Sequence, residues 1–245
     1  MIPWLHGNDP FPPLHQASSE YNGLLAAGGD LSVTRLLAAY RHGIFPWFNP
    51  DEPILWWSPD PRMVLFPAEF KRTRSLRKRL AKPDYSVRVD TAFERVIRAC
   101  AAPREGAGGT WISEEMIAAY CALHQAGYAH SIETWMRNDD FTESSEQPAN
   151  SEQLAGGLYG VAIGRVFYGE SMFMRKTDAS KIALSHLADW LQQHDFGVID
   201  CQMNTPHLAS LGAREIPRTQ FAELLDQYAD RSGLADWRGL SERAG

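Results

Sequence analysis

Leu154-Ala155-Gly156-Gly157-Leu158-Tyr159-Gly160-Val161-Ala162-Ile163-Gly164-Arg165-Val166-Phe167-Tyr168 is the stretch on which the fold turns. Two apolar runs meet at Gly164, which predicts strands over 154–163 and 165–168. Upstream, Tyr128 to Met136 reads as a third strand. The polar segment between them, residues 137–152, reads as a long exposed hairpin loop. Further upstream, Ser113 caps a helix with Glu114 and Glu115 in its first turn and Met116, Ile117, Tyr120 and His124 on one side. Downstream, Asp178 or Ser180 caps an amphipathic helix through Ile182, Ala183, Leu187, Trp190 and Leu191. Gly197 to Cys201 is a short buried strand. Phe221, Leu224, Leu225 and Tyr228 then mark a last helix after Pro217-Arg218-Thr219. The order helix, strand, strand, strand, helix, strand, helix over 113–229 predicts an α+β domain with a mixed, mostly antiparallel sheet flanked by helices.

The N-terminal part has another texture. Ten of the 15 prolines fall within residues 1–67, and proline supplies neither a backbone donor nor a free φ, so long helices and central strands are not expected there. One helix stands out, with Val33, Leu36, Leu37 and Tyr40 at i, i+3, i+4, i+7, Ser32 as N-cap and Gly43 as stop. Phe93, Val96, Ile97 and Cys100 mark another over 91–100, before the Gly-rich turn 106–109. The division read from texture is an irregular aromatic-rich part over 1–67, a basic-helix part and connection over 68–112, a regular α/β domain over 113–230, and a loosely held polar tail over 231–245.

Composition narrows the class. Hydrophobic residues make up 44% and charged residues 22% of the chain, as in ordinary globular proteins. No apolar run reaches the roughly 18–20 residues of a membrane span, and Met1 to His6 lacks the basic and apolar regions of a signal peptide. Three cysteines without a CxxC pair fit a reducing compartment. The expectation is a soluble, cytoplasmic protein with no membrane partner. Scattered histidines and the absence of HExxH and GxxxxGK[ST] give no expectation of a metal or a phosphate loop.

Four constellations could carry chemistry. Lys71, Arg72, Arg74, Arg77, Lys78, Arg79 and Lys82 put seven basic residues within 12 positions of a chain whose net charge is −6. Such a run either grips phosphates or is a solvated helix face. Trp47, Phe48, Trp56, Trp57 and Trp111 sit in turn-like context, where aromatics stack on nucleobases or plug a small domain; Trp47 and Trp111 suit the first role, Trp56 and Trp57 the second. Gly169-Glu170-Ser171-Met172-Phe173 sets a carboxylate at a strand end beside apolar groups, able to hold a substrate cation or to pair with Arg175 or Lys176. Asp200 and Gln202 lie two apart on an apolar strand and are expected on one face, where a carboxylate orienting an amide would handle the proton of an amine. Cys201 points the other way, as a core residue. The segment Met174-Arg175-Lys176-Thr177 lacks the glycines that would cradle a coenzyme A pyrophosphate.

The helix and strand order matches an N-acetyltransferase-like domain, and the residues themselves resemble a known family. Asn22 to Ala26 with Gly28 to Leu31, Gly43 to Phe48, Leu55 to Arg62, Gly109 to Ile112, His130 to Glu133, Gly157 to Ala162, Gly169 to Phe173, Ala179 to Lys181, Ile199 to Gln202 and Ala209 to Ala213 look, in that order, like the blocks of bacterial leucyl/phenylalanyl-tRNA–protein transferases. The resemblance spans roughly residues 20–222.

The resemblance implies a small irregular N-terminal domain and an acetyltransferase-like C-terminal one. It implies transfer of Leu or Phe, and Met less well, from aminoacyl-tRNA to an N-terminal Arg or Lys, marking the acceptor for N-degron degradation. No cofactor is implied, and a monomer is expected. Asp200 and Gln202 would handle the attacking α-amine, and Glu170 would bind or orient substrate. Leu158, Phe167, Met172, Leu187 and Ile199 would line the Leu/Phe side-chain pocket. Trp47 and Trp111 would stack around the tRNA 3′ adenosine, and Arg72, Arg74, Arg77, Lys78, Arg79 and Lys82 would grip the tRNA backbone. Leu158 and Leu187 stand where the family pattern has Met and Phe, and Thr205 where it has Asn. The rival classes are a noncatalytic RNA-binding protein and a coenzyme A-dependent acetyltransferase; the missing glycine-rich loop counts against the latter.

Overall fold

Strand-forming runs separated by short helices organise the chain into two sheets. A computed structural model describes residues 2–103, 110–137 and 152–241. The Gly-rich turn at 106–109 and nearly all of the polar loop expected over 137–152 lie outside them. The smaller sheet holds β1 (Trp4–Leu5), β2 (Leu24–Gly28), β3 (Phe45–Pro46) and β4 (Leu55–Trp57) in the order β1-β2-β4-β3. The larger holds β5 (Arg62–Leu65), β6 (Tyr85–Val89), β7 (Ala129–Arg137), β8 (Glu152–Ile163), β9 (Val166–Met174), β10 (Val198–Gln202) and β11 (Arg214–Ile216), in the order β11-β5-β10-β9-β8-β7-β6. All its pairings are antiparallel except β9 with β10.

The helices follow the expected apolar spacing and caps. They are α1 (Val33–Arg41), α2 (Arg74–Leu80), α3 (Phe93–Ala101), α4 (Glu114–Gln125), α5 (Ala179–Gln193), α6 (Pro206–Ser210) and α7 (Arg218–Tyr228). Ser32 Oγ accepts from Arg35 N, and Ser113 Oγ from Met116 N, satisfying first-turn donors that the helix leaves free. Leu76 of α2 is buried under its basic surface, as is Phe70 just before it. At α5, Asp178 is the N-cap but makes no capping bond; its carboxylate instead pairs with Lys181 at 2.8 Å.

Three expectations are corrected. The division by texture does not follow the sheets: β5 from the proline-rich region lies between β11 and β10, and β6 forms the edge beside β7. Both strands are short, four and five residues, so neither shows a clear period in sequence; β5, buried at all four positions, lacks alternation altogether. Over its described residues, 231–241, the tail is anchored. Trp237 and Leu240 are buried, and Val89 N donates to Ser241 Oγ. Finally, a bulge between Asp200 and Gln202, with Gln202 at φ 58°, interrupts the alternation that put those two side chains on one face.

The parallel junction of the larger sheet positions the site. β9 and β10 pair only from Val166/Val198 to Tyr168/Asp200. Beyond that β9 continues to Met174 against β8, while β10 ends against Met63 at Gln202. The strands part, leaving Gly169 to Met172 on one lip and Cys201 and Gln202 on the other.

Candidate active site

A pocket of about 630 Å³ opens at this parting. Leu158, Phe167, Met172, Leu184, Leu187, Ile199 and Cys201 line its apolar end, and Phe45, Trp47, Thr110, Trp111 and Ile112 line another part. Glu170 and Gln202, one from each lip, also line it. The structure therefore brings together the five expected side-chain-pocket residues, both tryptophans, Glu170 and Gln202. Asp200 is not among the lining residues.

Glu170 sits under two phenols. Tyr40 Oη donates to Oε1 at 2.8 Å and Tyr120 Oη to Oε2 at 3.0 Å, and the two hydroxyls are themselves in contact. Packing strips solvent from this carboxylate and pushes its pKa up to about 7, against the lowering effect of the two hydrogen bonds. Both phenols are raised well above the usual tyrosine range, first by burial and then by the Glu170 charge. They remain donors at neutral pH.

Asp200 is sealed. Arg62 reaches it across the β5–β10 pair, Nε to Oδ1 at 2.8 Å and Nη2 to Oδ2 at 2.7 Å, and neither side chain is exposed. The rings of Phe45 and Phe221 cover the guanidinium at 4.9 and 4.7 Å. Gln202 N donates to Asp200 Oδ1 at 3.0 Å, so the carboxylate holds the bulge that aims Gln202. The Gln202 amide nitrogen faces the carbonyls of Cys201 and Gly169 at 3.0 and 3.1 Å, tying the two lips together. Burial and the Asp200 charge raise the Cys201 thiol far above its usual range, leaving it protonated and a poor nucleophile.

Trp47 is 38% exposed at the pocket rim. Trp57 meets it edge to face at 5.5 Å and donates Nε1–H to its carbonyl at 2.6 Å, so Trp57 supports Trp47. Of the basic run, Arg72 pairs with Asp189 and Arg79 with Asp84. Arg74, Arg77, Lys78 and Lys82 are exposed and form no ion pair among the described residues. No helix among those residues is long and apolar enough to cross a membrane.

Sequence reasoning missed Arg62, Tyr40 and Tyr120 as site residues. Arg62 opens the apolar run Met63-Val64-Leu65, where a charge needs a buried partner; that was the available signal. The tyrosines read as helix-face core residues, and their hydroxyls converge only in three dimensions.

An apolar pocket with a few convergent polar groups and a near-neutral carboxylate is the pattern of an enzyme's binding site. Comparison with known proteins gives its class. Residues 64–226 match the family model described as leucyl/phenylalanyl-tRNA protein transferase, and residues 29–60 match that of its N-terminal domain. The gap between the matches, residues 61–63, falls at the start of β5, just past the last strand of the small sheet. The chain is 64% identical over 227 residues to the leucyl/phenylalanyl-tRNA–protein transferase of Nitrosomonas europaea, covering 93% of this chain and 90% of the relative. It is 64% identical over 220 residues to that of Thiobacillus denitrificans, covering 90% of each. With that of Stutzerimonas stutzeri it shares 54% over 239 residues, 97% of this chain and all of the relative. The chain is an aminoacyltransferase. It belongs to the leucyl/phenylalanyl-tRNA protein transferase family.

Proposed function

We propose that this enzyme transfers leucine or phenylalanine, and methionine less well, from aminoacyl-tRNA to an N-terminal Arg or Lys of an acceptor protein, and that the product is marked for N-degron degradation in the cytoplasm. The carrying observation is one pocket that joins an apolar end, polar lips and a tryptophan rim. The apolar end suits an uncharged aliphatic or aromatic side chain. The parallel β9–β10 pair that opens at its end supports the acetyltransferase-like description of the large domain, and we take the working unit to be a monomer.

The aminoacyl ester is already activated, so the enzyme has chiefly to position the reactants. The acceptor α-amine attacks the ester carbonyl carbon. The new C–N bond forms, the bond to the ribose oxygen breaks, and the proton lost by nitrogen balances the ribose hydroxyl that leaves. Glu170, near neutral, is matched to an α-amine whose pKa is roughly 7.7–8.0, and its ionised form can take the ammonium proton before attack. Gln202 orients the amine or the carbonyl. Asp200, closed in by Arg62, acts by fixing Gln202. Trp47 and Trp111 stack on the 3′ adenosine, and Arg74, Arg77, Lys78 and Lys82 contact the acceptor-stem phosphates, with Arg72 and Arg79 braced by their acidic partners.

The test mixes the folded chain with labelled Leu-tRNA or Phe-tRNA and a peptide starting with Arg or Lys. Label should move to that peptide and not to one whose N-terminus is acetylated. Tight tRNA binding without any transfer would leave a noncatalytic RNA-binding protein instead.

A further inference from the structure

The apolar end of the pocket is closed from behind by the C-terminal segment, which lies beyond the matched family region ending at residue 226. Phe167 is the link. Its ring lines the pocket and is itself fully buried. On one side it presses on Gly160, where a Cβ would come within 2.5 Å of the ring. Trp237 meets it with ring centroids 5.9 Å apart. Trp237 is in turn fixed by Phe196 at 5.8 Å, edge on, and by His130, stacked at 4.2 Å. His130 is anchored by Asp90, Nδ1 to Oδ2 at 2.8 Å. Gly239 allows the segment to close on Trp190 of α5, where a Cβ would meet the indole at 2.6 Å.

We infer that Trp237 is a specificity-setting positioning residue: it fixes the depth of the donor side-chain pocket by holding the Phe167 ring forward. The inference rests on the proposed reading of that pocket as the Leu/Phe site. Gly160 prevents Phe167 from shifting toward β8 without a clash, so the space occupied by Trp237 is the direction in which the ring can retreat. Removing the indole deepens the pocket and favours the longer, flat side chain over the shorter branched one.

The experiment measures kcat/KM for Phe-tRNA and Leu-tRNA in the full chain and in Trp237→Ala, Trp237→Leu and Trp237→Phe. One to two methylenes of pocket space discriminate by on the order of tenfold, so Trp237→Ala should raise the Phe/Leu ratio by about that factor. Trp237→Phe, which keeps a ring behind Phe167, should stay within roughly threefold of the parent. Trp237→Leu reads the same ratio if the alanine form does not fold. A purely structural tryptophan would lower both rates together, and an unchanged ratio in Trp237→Ala or Trp237→Leu overturns the inference. The parent chain separates the two readings: no transfer from either tRNA sinks the donor-site reading, whereas transfer from both with unchanged variant ratios sinks this inference alone.

Discussion

Arg62 and Asp200 form a bidentate ion pair between β5 and β10 with neither side chain exposed. It joins a strand from the proline-rich region to the strand that ends at the site. Removing one partner strands the other charge in the core, so Asp200→Ala or Arg62→Ala should lower unfolding stability by about 3–5 kcal/mol in a urea titration. An apolar pair of similar volume, Arg62→Met with Asp200→Leu, should recover most of that loss. It should remain inactive in transfer, because Gln202 N loses the acceptor that holds its bulge. A stable double variant with parental activity would remove Asp200 from the mechanism.

The carboxyl of Glu170 makes stability depend on pH in a defined direction. Its folded pKa, about 7, is above the ordinary value of 4.5, so the folded chain binds this proton more tightly than the unfolded one. Its contribution is present in full below pH 4.5 and is lost as pH rises through 7. Glu170→Gln cannot titrate. Relative to the parent it should gain stability steadily between pH 4.5 and 7 and hold a constant difference above that. In transfer assays the parent should show an inflection near pH 7 that Glu170→Gln lacks. A stability difference flat across this range would rule out the raised pKa.

The basic run divides into braced and free members. Arg77→Ala with Lys78→Ala should weaken tRNA binding and reduce the slope of log K against log salt by about 1–2, roughly one phosphate contact per side chain. Arg72→Ala also removes bonds to Ser185 and Asp189 of α5, so it should lower thermal stability as well as affinity. An unchanged salt slope in the first variant would return the run to a solvated helix face.

Most of the large sheet was legible because its strands are long or well bounded. β7 and β8 carry nine and twelve residues, enough for pattern and turn residues to agree, whereas β9 runs on to Met174, six residues past the strand end expected at Tyr168. β5, β6 and β11 are three to five residues long, and their place in the sheet depends on pairings far away in sequence. Leu158, Phe167, Met172, Leu187 and Ile199 could be named from the family resemblance, and they converge at the pocket. The surroundings of the carboxylates were not legible. Tyr40 lies 130 residues from Glu170 and Arg62 lies 138 from Asp200; periodicity speaks only to neighbours along one element. The tail was misread for a related reason. Its polar composition hid Trp237, whose partners Phe167, Phe196 and His130 come from three separate segments.

Trp47 gives a test of the proposed nucleotide end that does not depend on the reaction. Its side chain stands at the rim, 38% exposed, while Phe48 beside it is buried and anchors the turn. Trp57 supports it both by ring edge and by the bond to its carbonyl, so much of the ordering cost of a stacking surface is met before ligand arrives. A base stacked on such a ring contributes about 1–3 kcal/mol. Trp47→Ala should therefore weaken binding of an acceptor-stem minihelix ending in adenosine by roughly 5- to 150-fold, measured by fluorescence anisotropy. Trp47→Phe should keep much of the affinity, because stacking needs a ring face rather than the indole N–H. Shortening the minihelix by its terminal adenosine should abolish the difference between Trp47→Ala and the parent. If the gap persists without that nucleotide, Trp47 supports the pocket wall and does not stack on the base.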